Sequence, residues 1–129
     1  MSENKKTIEI EYLINTSPVT LYNRLSTASG LAEWFADSVT ADDKIFTFFW
    51  NSSEQKAELT HCVENKSVSF QWLNDDEDNT WFKLNINVDE LTDDVSLIVV
   101  DNVDYEDEAD SIELWNKQVE VLKCSLGSL

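Results

Sequence analysis

The sequence predicts an α+β fold in which an antiparallel sheet of about six to seven strands is followed by a long C-terminal helix. Between Val39 and Val100, short apolar segments follow one another with brief polar connections, which favours hairpins over crossover units. From Ile112 to Leu126, apolar residues recur at spacings of three and four, which is typical of an amphipathic helix. The length of 129 residues suits one domain, so we expect residues 1–129 to form a single domain.

The first predicted strand is Thr7–Ile14, where apolar and polar residues alternate. Glu9 and Glu11 share the polar face, so the strand is expected to be half-buried. Its apolar face comprises Ile8, Ile10, Tyr12 and Ile14.

Two short helices are predicted after this strand. Ser17 stands directly before Pro18, and this pair suits a helix start because Ser caps free N–H groups and Pro is tolerated in the first turn. Gly30 is predicted to break the first helix. Leu31–Asp37 is predicted to be the second, with Phe35 on its apolar side.

Six further strands are predicted from alternation and from apolar runs bounded by turn residues. With only two Gly and one Pro in the chain, the turns between them depend on Asn, Asp and Ser, and Asn74–Asn79 is predicted to be an acidic hairpin tip. The predicted strands are Val39–Ala41, Ile45–Trp50, Gln55–Val63, Ser67–Leu73, Trp81–Val88 and Val95–Val100. The residues predicted to face inward in the fourth and fifth of these are Val68, Phe70, Trp72, Phe82, Leu84, Ile86 and Val88.

The C-terminal part is predicted to be an acidic loop, Asp101–Asp110, followed by a helix of about four turns. The helix is expected to begin near Ser111, with Glu113 favourably placed in the first turn, and to end before Gly127. Its apolar stripe comprises Ile112, Trp115, Val119, Leu122 and Leu126.

The charge balance excludes several classes of function. Nine Lys and Arg stand against 26 Asp and Glu, a formal net charge of -17, which opposes binding to nucleic acid and to anionic membranes. Solubility is the favoured interpretation of the acidity, and attraction to a basic partner or a cationic ligand is the alternative. No apolar run reaches the ~20 residues that span a bilayer. With no secretory signal and two widely separated cysteines, the expected location is the cytoplasm.

No catalytic or metal-binding signature is complete. The single histidine, His61, adjoins Cys62, but neighbouring strand residues point to opposite faces, so we do not expect a dyad. One His and two distant Cys cannot supply a zinc site, and the acidic runs lack the Gly of a calcium loop. Asp101 and Glu113 are the acids placed to approach a gap between sheet and helix, and we do not expect them to be catalytic. No cofactor and no metal are expected.

Three segments resemble the START-like superfamily, and within it the group related to the activator of the Hsp90 ATPase. SPVTLYNRLSTASGLAEWFA, Ser17–Ala36, is similar to that family's SP-helix, turn and Trp-containing second helix. AELTHCVENKSVSFQW, Ala57–Trp72, resembles its paired central strands. LWNKQVEVL, Leu114–Leu122, resembles its terminal helix. The resemblance implies a helix-grip fold, in which the curved sheet wraps around the C-terminal helix and an apolar pocket often separates the two.

The resemblance leaves three functions open. We favour a non-enzymatic module that holds a small hydrophobic ligand between sheet and helix. A co-chaperone-like module that binds a protein is the alternative, and an enzyme acting on a hydrophobic substrate ranks last. Aromatic side chains fill cores as readily as they line pockets, so each is a candidate for either role. The candidate cavity residues are Trp34, Phe35, His61, Phe70, Trp72, Phe82, Leu84, Tyr105, Trp115, Val119 and Leu122.

Overall fold

The computed structural model describes residues 5–51, 53–73 and 80–127, and a seven-stranded antiparallel sheet dominates them. The strands lie in the order β1-β7-β6-β5-β4-β3-β2, so the first and last strands in sequence are neighbours. The strands are β1 (Lys5–Ile14), β2 (Ser38–Asp42), β3 (Ile45–Trp50), β4 (Ser53–Val63), β5 (Ser67–Trp72), β6 (Trp81–Val88) and β7 (Val95–Asp104). The helices are α1 (Pro18–Ser26), α2 (Ala28–Leu31) and α3 (Glu108–Ser125), the last preceded by a 3-10 turn, Tyr105–Asp107.

The predicted fold class is confirmed: a curved sheet holds a long C-terminal helix, and two short helices follow the first strand. Helix α3 turns its apolar stripe toward the sheet, and Trp115, Val119 and Leu122 are buried there. They join one hydrophobic core with the inward residues of the central strands, among them Phe70 and Leu84. Of the helices in the described part of the chain, none has the length and apolar character that a bilayer-spanning segment requires.

The start of α1 follows the prediction. The Ser17 hydroxyl accepts a hydrogen bond of 3.2 Å from the backbone N–H of Thr20, and Pro18 occupies the first turn. This cap satisfies one of the N–H groups that a helix start leaves without a partner.

The second helix lies earlier than predicted. Helix α2 is Ala28–Leu31, and the residues from 32 to 37 form turns and a bend, so the helix predicted over Leu31–Asp37 is wrong in position. Gly30 is not a helix breaker, because it lies within α2. A Cβ on Gly30 would stand 2.2 Å from the carbonyl oxygen of Asn23, so the absence of a side chain permits α1 and α2 to pack closely.

Strand β7 is longer than predicted and replaces part of the expected acidic loop. It continues from Val100 to Asp104 because β1 pairs with it along its whole length, with Lys5 opposite Asp104. The Lys5 ammonium lies 3.0 Å from the Asp104 carboxylate, which adds an ion pair at this end. Helix α3 then starts at Glu108 and has 18 residues, more than the predicted four turns.

Asp and Asn residues provide the tight turns, as predicted. Asp43, Asn65 and Asp93 have φ values of 57°, 62° and 63°, in the left-handed region that Asx side chains tolerate better than most. The predicted hairpin tip at Asn74–Asn79 lies outside the described residues.

Candidate functional site

A cavity of about 350 Å³ lies between α3, the turn after α2 and the inner face of the sheet, and it is partly open to solvent. Apolar surface dominates its wall, and four polar side chains interrupt it. The described lining residues are Phe35, Trp50, Gln55, Trp72, Phe82, Asp101, Ser111, Leu114, Trp115 and Gln118.

Five aromatic rings form the apolar wall, and Phe35 lies in contact with rings on both sides of the gap. Its ring centroid is 5.3 Å from that of Phe82 on β6 and 5.7 Å from that of Trp115 on α3. Trp72 on β5 extends the wall, with its centroid 5.4 Å from that of Phe82. Such contacts restrict each ring to one orientation, so the wall is a preformed surface.

The turn that carries Phe35 is fastened from two directions. The backbone carbonyl of Phe35 accepts a hydrogen bond of 3.0 Å from the indole nitrogen of Trp50 on β3. It accepts a second, of 2.9 Å, from the side-chain amide of Gln118 on α3. One carbonyl group therefore joins the turn to the sheet and to the helix.

Asp101 is the ionisable side chain in the described lining. It lies on β7, directly opposite Ile8 on β1 and Phe82 on β6, and its Oδ2 accepts a hydrogen bond of 2.7 Å from the indole nitrogen of Trp115. Burial raises the pKa of the Asp101 carboxyl, while the hydrogen bonds from Trp115 and the Asn102 backbone and the charge of Lys5 lower it. Burial is the strongest of these effects, so the net shift of the pKa is upward.

A polar vestibule of about 540 Å³ adjoins the cavity and shares four of its lining residues. The shared residues are Gln55, Trp72, Asp101 and Ser111. Lys5, Asp104 and Asp107 carry the remaining charges of the vestibule. A molecule entering from this side would meet polar groups first and the aromatic wall next.

A third hollow, of about 430 Å³, lies between α3 and the turn after α2, and it shares Phe35, Trp50, Leu114 and Gln118 with the cavity. Leu114 and Val121, which are seven residues apart on the helix, line it together with Trp34 from the turn after α2. Both aliphatic side chains are about half exposed, at 56% and 49%.

The structure brings four of the predicted candidate residues together at the cavity. These are Phe35, Trp72, Phe82 and Trp115. Four others are buried in the core beside it, namely Phe70, Leu84, Val119 and Leu122. Trp34 is buried as well, and its indole nitrogen donates a hydrogen bond of 2.8 Å to the carbonyl of Arg24. His61 on β4 and Tyr105 in the 3-10 turn are exposed and do not line the cavity.

Six lining residues are absent from the candidate cavity set, although Asp101 does approach the gap between sheet and helix as expected, whereas Glu113 is exposed and outside the lining. The six are Trp50, Gln55, Asp101, Ser111, Leu114 and Gln118. A signal for Asp101 existed, because the alternation of Val95, Leu97 and Val99 continues through Asp101 to Val103 and assigns all five to one face. On α3, Ser111, Leu114, Trp115 and Gln118 follow spacings of three, four and seven, so polar residues border the apolar stripe on the side of the cavity.

The lining offers recognition more readily than nucleophilic chemistry. A hydrolytic triad needs a nucleophile, a base beside it and a third group that orients the base. The described lining holds a hydroxyl and a carboxylate but no imidazole. Within residues 5–51, 53–73 and 80–127, no three His, Cys, Asp or Glu side chains cluster as metal ligands would.

The family model of the START-like superfamily domain matches residues 1–128, almost the whole chain. No curated protein shows a significant match.

Several solved structures share the fold. The protein BfR322 from Bacteroides fragilis is 34% identical, with a TM-score of 0.67 over 95% of this chain and 92% of that one. The Aha1 dimer from Colwellia psychrerythraea is 19% identical, with a TM-score of 0.72 over 94% and 92%. CalU16 from Micromonospora echinospora is 12% identical, with a TM-score of 0.68 over 96% and 74%. The last two likenesses show the fold alone.

Proposed function

The chain belongs to the START-like superfamily, and from this premise we propose that it is a non-enzymatic module binding a small hydrophobic ligand between the sheet and α3. The observation that carries the proposal is the aromatic-walled cavity of about 350 Å³. Pockets for small molecules are typically about 300–1,000 Å³, mostly apolar, with a few polar groups that fix orientation. The cavity has this composition, at the small end of the range.

The wall is suited to a flat or compact apolar body. Trp50, Trp72 and Trp115 present large ring surfaces, and large aromatic side chains contribute strongly to binding because each can bury roughly 150–250 Å². The rings contact one another and are held by hydrogen bonds from Trp50 to the turn and from Trp115 to Asp101. A wall that is already ordered loses little side-chain entropy when a ligand binds.

The polar groups favour binding without turnover. Gln55 and Ser111 stand at the junction with the vestibule, where they can hydrogen-bond a polar end of the ligand. Asp101 is engaged by Trp115 and has no imidazole beside it in the described lining.

Native mass spectrometry of the protein purified from its own host tests the proposal, because it reports bound ligand and subunit number together. We expect a co-purified small molecule in the wild type and its loss in Ser111→Trp, which places a ring in the cavity. Glu113→Trp is the matched control, because Glu113 is exposed on the same helix and outside the lining. Ligand-free spectra, together with no thermal shift across a panel of apolar metabolites, would contradict the proposal.

A protein-interaction module is the second candidate, and the hollow between α3 and the turn after α2 favours it. Leu114 and Val121 leave apolar surface exposed there, and the net charge of -17 would attract a basic partner. Affinity capture from host extract should then weaken with salt and be lost in Val121→Glu but not in Leu13→Glu, which changes another exposed aliphatic residue, on β1. Identical capture by both variants would exclude the hollow as the docking site.

The location of the protein and the number of its domains are further proposals. We place the protein in the cytoplasm, supported by Cys62 and Cys124, which are both exposed and free as a reducing compartment would keep them. We also infer one domain over residues 1–129, supported by the span of the family model.

A further inference from the structure

We propose that the cavity selects apolar amines, which carry a positive charge, over apolar carboxylates and phosphates. The inference rests on the proposed function and specifies the ligand class of that same site. Three features of the described residues carry it: the charge of the lining, the acceptor capacity of Asp101 and the aromatic rings beside it.

The charge of the lining is negative. Asp101 contributes an acidic side chain, and no Lys, Arg or His belongs to the described lining. In the adjoining vestibule, Lys5 is the basic residue, and it forms a 3.0 Å ion pair with Asp104, while Asp107 adds a further negative charge. An anionic ligand would therefore face like charge at both the wall and the entrance, in a medium where charges are poorly screened.

Asp101 can accept more hydrogen bonds than the protein supplies in the contacts described. An ionised carboxylate offers about four acceptor positions. The indole of Trp115 and the backbone of Asn102 donate to it, and Lys5 stabilises its charge from a distance. A ligand ammonium group has several N–H donors, so it can fill the remaining positions and form a charge-assisted hydrogen bond.

Aromatic rings lie beside Asp101 in the lining, although the indole of Trp115 turns its N–H edge and not its face to the carboxylate. Phe82 lies directly across the strand pair from Asp101, and Trp115 is hydrogen-bonded to it. Their ring centroids are 5.8 Å apart. Ring faces attract cations within about 6 Å, most strongly for Trp, and the attraction grows when the cation is withdrawn from water. A carboxylate and several rings together therefore favour a cation with an apolar body.

A hydroxyl group could also donate to Asp101, but it would gain less. It offers one donor, carries no charge to compensate the half-buried carboxylate, and has little attraction for ring faces. The cavity should therefore rank three ligands of equal shape in the order amine, alcohol, carboxylate.

Three naphthalene probes of matched shape test this order: 2-naphthylmethylamine, 2-naphthalenemethanol and 2-naphthoate. Titration by calorimetry near pH 7 gives each affinity, and quenching of Trp fluorescence reports entry into the cavity. The ammonium adds ion pairing and attraction to aromatic rings to the hydrogen bond that the alcohol also forms, so we expect the amine to bind about tenfold more tightly than the alcohol. The carboxylate should bind more weakly than the alcohol.

Asp101→Asn removes the charge with little change of shape and should bring amine and alcohol within about threefold of each other. Glu9→Gln removes one charge from the exposed face of β1 and should leave the preference unchanged. Circular dichroism and thermal melting confirm that each variant is folded. If Asp101→Asn does not fold, the order of the three probes on the wild type decides.

The outcomes separate the inference from the proposed function. An alcohol that binds without any advantage for the amine overturns the charge selection and leaves the apolar binding site intact. The same loss of preference in Glu9→Gln would assign the effect to overall charge and also overturn it. Failure of all three probes to bind counts against the proposed function and removes the basis of the inference.

Discussion

The indole nitrogen of Trp115 donates a hydrogen bond of 2.7 Å to Oδ2 of Asp101, joining helix α3 to strand β7 at the wall of the cavity. Trp115 is 95% buried, since its exposed fraction is 5%, and Asp101 is half-buried. The contact links a residue of the predicted apolar stripe to an acid in the segment where a loop was predicted. It therefore positions both the helix and the single ionisable group in the described lining.

Replacing Trp115 by Phe should reduce stability by about 1–3 kcal/mol, because the half-buried carboxylate of Asp101 loses a donor. Urea unfolding of Trp115→Phe measures the loss. In a double-mutant cycle with Asp101→Asn, the two changes should be non-additive, since each removes the same hydrogen bond. Additive losses would show that Trp115 acts through packing alone.

Asp101 should make the protein less stable as pH rises, whereas a salt-bridged carboxylate makes a protein more stable as pH rises. Burial raises its pKa in the folded protein, so the folded state binds the proton more tightly than the unfolded chain. The stability of the wild type relative to Asp101→Asn should therefore fall as pH rises above 3.8, the ordinary Asp value, and level off once the carboxyl is ionised. Carbon-13 NMR of the Asp101 carboxyl and denaturant unfolding across this range provide the measurements. A difference that grows with pH would contradict the upward shift of the pKa.

Gly30→Ala should destabilise the protein by about 1–3 kcal/mol, as overpacking commonly does. The added Cβ would meet the backbone at Asn23 and Arg24, at 2.2 and 2.7 Å, and backbone atoms cannot rotate away. Ser29→Ala is the control, because Ser29 is exposed on the same helix and should change stability by less than about 0.5 kcal/mol. Equal melting temperatures for the two variants would show that α2 can shift away from α1 at little cost.

The two hydrogen bonds to the carbonyl of Phe35 should substitute for each other. Trp50→Phe and Gln118→Met each leave one donor on that carbonyl, so each change should cost about 0.5–1.5 kcal/mol. The double variant leaves the carbonyl without either donor and should lose more than the sum of the two single variants. Chemical denaturation of all four proteins gives the coupling energy, and strict additivity would mean that water replaces the lost donors.

The regular elements were predictable because local pattern determines them. Alternation defined β6 to the residue, and a dense apolar run between turn residues defined β3. Spacings of three and four identified the face of α3 that carries Val119 and Leu122. The Ser17 cap was readable because the cap and its partner, Thr20, lie three residues apart.

The misplaced segments were those whose structure depends on distant partners. Residues 101–104 read as an acidic loop, but their backbone groups pair with β1, nearly a hundred residues earlier in the chain. Gly30 was interpreted as a helix break. Its actual role, which is to allow close contact with Asn23, depends on the packing of two helices. Neither contact leaves a mark on local composition, so pattern alone favoured the commoner interpretation.

The sequence by itself determined the fold class, the apolar face of α3 and most strand faces, with Val88 exposed against the prediction, because periodicity is a property of neighbouring residues. Only the tertiary structure decided which rings line a cavity and which fill the core, and that Asp101 stands among those rings. The residues of a core stripe and those of a cavity wall are equally apolar in the sequence. They differ only in whether the opposing helix or strand packs directly against them or leaves a cavity.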